Sequence, residues 1–236
     1  MQERYLGDSH DYVKYALLRH LHASLDVEIG VNWYLADRSV DHPDNNDGEQ
    51  RHHLNGGVWA RWDADLFKRI KFFDTPGNRI ISKIKTQRIL PEGTMFYENP
   101  VPMEDRSNWH EGGQKALSTA DLVFLDPDNG FEVKSATRRT LPKYALYEEA
   151  CDFHRASKIV VAIQFARQCS PERKACNVRA ELYAQADFTG DIPVLRARVA
   201  PNILFLFLSP KKRISQMTAA LRAFVEKGEG KAELIP

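Results

Sequence analysis

Residues 120–132 read A-D-L-V-F-L-D-P-D-N-G-F-E, and the fold is decided there. Leu122 to Leu125 form an unbroken apolar run, too short for a helix and suited to a strand buried on both faces of a parallel sheet. Composition then flips to Asp126, Pro127, Asp128, Asn129 and Gly130. Pro127 has no N–H to give a ladder, so the strand is expected to stop there. Asn129 and Gly130 are turn formers that tolerate positive φ. Open α/β sheets bind their ligands at the carboxyl ends of strands, which is where Asp126 stands. Asp126, Asp128, Asn129 and Glu132 place four potential ligands or bases within one short segment.

Working outward, strands alternate with helices. Asp8 and Ser9 open a helix through residue 22, with Val13, Ala16, Leu17 and Leu21 on one face. Read alone, Asp11 and Lys14 on that helix make a surface ion pair of a few tenths of a kcal/mol. Residues 29–35 predict a strand. Residues 58–90 predict two helices punctuated by Pro76 and Gly77. Further strands are expected at 94–97, 158–165, 193–199 and 202–208, and helices at 109–118, 146–156, 171–186 and 214–225. The last two strands meet across Ala200-Pro201 as an antiparallel pair. The whole reads as one α/β domain over residues 1–236, with a loop and helical insertion over about 40–92.

Composition sets outer limits. The 236 residues carry 43% hydrophobic and 28% charged side chains and a net charge of +1, ordinary for a soluble globular protein. No run reaches the ~18 apolar residues of a membrane span, and the amino terminus lacks a signal-peptide core. Three cysteines without a CxxC read as thiols of a cytoplasmic protein. The net charge does not itself call for nucleic acid; local patches must carry that argument, and a long run of one sign is more than the solvated face that most charge runs form. Lys68, Arg69, Lys71, Arg79, Lys83, Lys85 and Arg88 face the single acid Asp74, a surface suited to phosphates. The polar loop 41–49 fails as a calcium loop, because its ligand positions would fall on Pro43 and Leu54. His42, His52 and His53 are expected to be solvated.

Two motifs together carry a resemblance. Residues 7–18, G-D-S-H-D-Y-V-K-Y-A-L-L, resemble the G-N-H-A-D-x-x-K-H-x-x-L opening of the J-type ribosomal RNA adenine-N6 methyltransferases. F-L-D-P-D-N-G-F-E stands where that family has L-I-D-P-P-Y-E, and Trp109 precedes it at about the interval of the family's D-G-W. The resemblance spans roughly residues 7–132. It implies a Rossmann-like, methyltransferase-type sheet, mostly parallel with a late antiparallel pair, helices on both faces and a helical insertion after the first strand. It also implies S-adenosylmethionine as cofactor and a nucleic acid as partner. Asp126 matches the catalytic aspartate that accepts the adenine amine, with Asn129 beside it in the motif. Lys14 matches a lysine near the cofactor. Asp37 is expected at the cofactor's amino group, Glu98 at the ribose hydroxyls and Asn108 at the adenine edge. Asp11, Asp128, Phe131 and the basic residues Lys68, Arg69, Lys71, Lys83 and Lys85 are expected on the substrate side. Asn129 replaces the tyrosine that stacks on a flipped base, which leaves Phe131 for that role. The family's glycine-rich loop after the first strand is absent here, where the chain reads A-D-R-S-V-D-H.

Two alternatives follow from the residues themselves. Asp126, Asp128 and Glu132 with Lys134 can be read as an Mg²⁺ site of a nuclease or phosphoesterase. The missing glycine loop suits a cofactor-less module that binds nucleic acid through its basic surface.

Overall fold

The computed structural model describes residues 3–35, 49–167, 169–199 and 201–236. Helix α1, Ser9–Leu25, starts where Asp8 accepts hydrogen bonds from the backbone N–H groups of His10 and Asp11, at 2.8 and 2.9 Å. It stops at Asp26, which turns left-handed at φ 51°. Strand β1 (Ile29–Asn32) follows, then the short helices α2 (Val58–Trp62), α3 (Ala64–Ile70) and α4 (Lys83–Thr86). Strand β2 (Met95–Tyr97), helix α5 (Arg106–Ala116) and strand β3 (Leu122–Leu125) come next. The remainder is α6 (Tyr147–Arg155), β4 (Ile159–Ala166), α7 (Pro171–Gln185), β5 (Val194–Ala197), β6 (Asn202–Leu208), α8 (Ile214–Lys227) and β7 (Ala232–Ile235).

The seven strands make one sheet in the order β2-β1-β3-β4-β6-β5-β7. The first four are parallel. β6 runs antiparallel to both β4 and β5, and β7 is antiparallel to β5. Alternation along β3 serves two cores. Leu122 and Phe124 join α1, α8 and the residues of 58–90 on one face, while Val123 and Leu125 join residues of α5, α6 and α7 on the other. Helices therefore cover both faces; β1 and β3 are buried at every position, and β4 at every position but the half-buried Phe165.

Three expectations change. β1 ends at Asn32 rather than residue 35, because Tyr34 adopts φ 47° and leaves the extended region. The two helices expected over 58–90 are three short ones, α2 and α3 separated by Asp63 alone and α3 and α4 by 3₁₀ turns. Asp63 restarts the chain by capping Leu66 N–H, and Pro76 and Gly77 lie in one of the 3₁₀ turns. Such short helices hold by packing: Trp59, Trp62, Leu66, Ile70, Phe73 and Ile84 are buried. The tyrosine ring of Tyr12 on α1 meets Trp59 edge-on, and Trp62 Nε1 donates to Phe224 O of α8. β7 was not foreseen, since four residues carry no periodicity. No described helix is long and apolar enough to cross a membrane.

Candidate functional site

Asp126 is the first residue beyond β3, and its N–H extends the ladder by donating to Asn32 O at 3.0 Å. Its side chain points to the α1 face, where Lys14 Nζ lies 2.9 Å from Oδ1. The same ammonium is 3.1 Å from Asp11 Oδ1, and Asp11 Oδ2 accepts Gly7 N–H at 2.9 Å. Exposure of Asp11, Lys14 and Asp126 is 3%, 6% and 1%. Asp11 and Lys14 are thus no surface pair. The i,i+3 spacing aims both side chains from one face of α1 at the end of β3, and burial raises the stakes from tenths to several kcal/mol.

Burial pushes the Asp11 carboxyl up to about 6, with Lys14 opposing the rise. For Lys14 burial works against the charge, but Asp126 and Asp11 outweigh it and hold the ammonium protonated above lysine's ordinary range. Asp8 stands beside this group. Burial raises its carboxyl, but the His10 ring at 3.2 Å and the Asp11 N–H outweigh that and hold it low. His10 Nε2 in turn reaches Pro201 O at 2.8 Å, which ties the start of α1 to the start of β6. Two atoms at this cluster stand out: Asp126 Oδ2 and the hydroxyl of Tyr15, which burial and the neighbouring Asp11 and Asp126 hold protonated, are buried and have no hydrogen-bond partner.

The turn after Asp126 is pinned on every side. Gln164 of β4 accepts Phe131 N–H on Oε1 at 3.0 Å and donates from Nε2 to Asn129 O at 3.3 Å. Asn129 N–H donates to Lys143 O, Ala145 N–H to Gly130 O and Glu132 N–H to Ala145 O. Gly130 sits at φ 87°, and a Cβ there would fall 2.4 Å from Gln164 Oε1, so both its conformation and its space demand glycine. Asp128 and Asn129 are half-buried on this turn. Phe131 is not available to stack on a ligand. It is 1% exposed and lies parallel to Tyr147, ring centroids 4.5 Å apart.

The carboxylates proposed as a metal set are not assembled. Lys14 occupies Asp126 Oδ1, Glu132 Oε1 accepts Tyr147 N–H at 3.1 Å, and no three His, Cys, Asp or Glu among the described residues could hold one ion. The turn therefore holds no ligand set for Mg²⁺, because its carboxylates are divided between α1 and α6.

No family model matches the chain, and no curated protein matches it.

The residues expected at a cofactor divide. Glu98 stands exposed just beyond β2, with a carboxylate suited to a ribose diol. Asn108 is exposed in the first turn of α5 but donates to Asp105 Oδ2 at 2.6 Å. Asp37 and His42 lie outside the described residues. Directly after β1 there is no glycine cradle. Trp33 and Tyr34 are buried, Trp33 lies parallel to Phe96, and the Tyr34 hydroxyl donates to Glu149 Oε2 at 2.8 Å. The exposed Glu98 and the partnerless Asp126 Oδ2, at the ends of β2 and β3, fit the nucleoside part of S-adenosylmethionine and an amine acceptor.

The basic surface is thinner than its sequence. Arg69 is taken by Asp65 at 2.7 Å and Arg79 by Glu49 at 2.9 Å. Lys68, Lys71, Lys85 and Arg88 are exposed and Lys83 is half-buried, with Lys71 over the Phe67 ring at 4.4 Å. Two polar groups escaped sequence reasoning. Arg106 donates to Glu149 Oε1 at 2.7 Å and to Leu141 O, and so joins α5, α6 and the turn that leads into α6. His53, expected in solvent, is fully buried with Nδ1 3.0 Å from Ser9 Oγ, and burial pushes its ring down to about 4. Both pairs join residues more than 40 positions apart, so no local pattern could reveal them.

Proposed function

We propose that this chain is a methyltransferase-type protein that uses S-adenosylmethionine to modify an exocyclic amine of a nucleic-acid base. The observation that carries the reading is Asp126: a carboxylate at the end of a central parallel strand, charge-paired through Oδ1 and with the buried Oδ2 left without a donor. A sheet that is parallel through β4, with β6 set antiparallel between β4 and β5, agrees with what the resemblance implies.

When bound, the cofactor supplies an electrophilic methyl group on a sulfonium. The chain's own work is placement. Asp126 Oδ2 accepts an N–H of the amine, which orients it and raises electron density on its nitrogen. Lys14 fixes the carboxylate, and Gln164 fixes the turn that presents Asp128 and Asn129. Glu98 holds the ribose hydroxyls. Lys68, Lys71, Lys83 and Lys85 meet phosphates at long range.

Calorimetric titration with S-adenosylmethionine, followed by transfer of its labelled methyl group to RNA and DNA, tests this. Binding and transfer are expected, with transfer lost in Asp126→Asn. No binding at high protein concentration would overturn the reading. It would favour a cofactor-less, nucleic-acid-binding protein, a second reading supported by the closed, glycine-free turn at Trp33 and Tyr34.

A further inference from the structure

Asp11 and Asp126 present four carboxylate oxygens to one buried ammonium. Three are bonded: Asp11 Oδ1 and Asp126 Oδ1 by Lys14, and Asp11 Oδ2 by Gly7 N–H. Asp126 Oδ2 alone is left, buried and partnerless. A buried charged oxygen without a partner is costly, so folded proteins rarely keep one without a use.

The type of cation explains how it stays open. An ammonium is a point donor that touches one oxygen of each carboxylate. A guanidinium is a planar fork that takes both oxygens of one carboxylate. Arginine has comparable reach and the same charge, and it would close the site.

We propose that Lys14 is a positioning residue that aims Asp126: it binds Oδ1 as a single donor and so reserves Oδ2 for an N–H of the ligand. The ligand is then a group that donates, such as the exocyclic amine of adenosine. A carbonyl or phosphate oxygen in its place meets a carboxylate and is repelled. That the ligand is a nucleobase amine rests on the methyltransferase reading; that Lys14 leaves Oδ2 open rests on the geometry alone.

The test uses full-length wild type, Lys14→Arg and Lys14→Met, each melted alone and with adenosine, inosine or S-adenosylmethionine. Inosine carries a carbonyl where adenosine carries its amine. Lys14→Arg is expected to melt within about 3 °C of wild type, since charge is kept and the fork satisfies Oδ2, whereas Lys14→Met melts well below both. Adenosine is expected to raise the wild-type Tm more than inosine does. In Lys14→Arg its affinity is expected to fall about tenfold or more. A lysine serving only as a structural counter-ion would leave adenosine binding intact in Lys14→Arg, and that result overturns the proposal. So does a Lys14→Arg protein as unstable as Lys14→Met, because the fork then does not form. If neither adenosine nor S-adenosylmethionine shifts wild type, Oδ2 receives no nucleoside N–H, and the proposal fails together with the methyltransferase reading; binding that is intact in Lys14→Arg overturns the proposal alone.

Discussion

Gly130→Ala probes whether the turn that carries Asp128 and Asn129 is clamped as described. A methyl group there forces φ 87° on an alanine, which costs about 1–2 kcal/mol. It also collides with Gln164 Oε1 at 2.4 Å and drives the amide off Phe131 N–H and Asn129 O. Those two hydrogen bonds are worth about 1 kcal/mol each net. The sum is about 3–4 kcal/mol, which at roughly 2–4 °C per kcal/mol for a chain of this size lowers Tm by about 6–16 °C. Gln164→Ala loses the same two bonds by a different route. Because a bond can be lost only once, the double variant should cost about 2 kcal/mol less than the sum of the singles. Urea unfolding of the four proteins measures this directly. Additivity within about 0.5 kcal/mol would refute the clamp, since independent sites add to that accuracy.

Stability between pH 4 and 6 should carry two opposing slopes. Asp11, raised from 3.8 to about 6 in the folded protein, contributes stability that is full below pH 3.8 and lost as pH rises through 6. His53, lowered from 6.5 to about 4, contributes stability that is intact above pH 6.5 and lost as pH falls towards 4. Asp11→Asn should therefore make Tm rise more steeply with pH across this window than in wild type, and an unchanged profile would count against a buried, proton-holding Asp11. Arg106→Met strands the Glu149 carboxylate, 4% exposed, and should cost about 3–5 kcal/mol by urea unfolding. A loss under about 1 kcal/mol would mean the network is solvated. Reversing Lys68, Lys71 and Lys85 to Glu should leave Tm nearly unchanged, because none has a carboxylate partner among the described residues, while weakening RNA or DNA binding and flattening its salt dependence. Binding that survives the triple reversal would remove this surface from the function.

Much of the architecture was legible before any coordinates. Leu122 to Leu125 form a continuous apolar run and residues 159–163 another, too short for helices and suited to strands buried on both faces. Asp8 announced the start of α1 because a helix leaves N–H groups that a short acidic side chain can take. The D-P-D-N-G turn marked its own position, since proline and glycine restrict backbone geometry locally. What the sequence by itself determined is therefore the local conformation and the alternation of elements, both governed by neighbours within a few residues.

Tertiary structure alone decided which polar residues matter. Asp11 and Lys14 look like a solvated pair until β3 brings Asp126 against them, 112 residues beyond Lys14. Phe131, the remaining aromatic of the motif, is spent on Tyr147, and His53 is drawn under α1 by Ser9. Arg106, which no motif marked, meets Glu149 across two helices. Burial and pairing are properties of distant segments meeting, and the energy of a charge depends on that environment by several kcal/mol. A sequence pattern of period 2 or 3.6 records which face is apolar. It does not record which partner a carboxylate finds there.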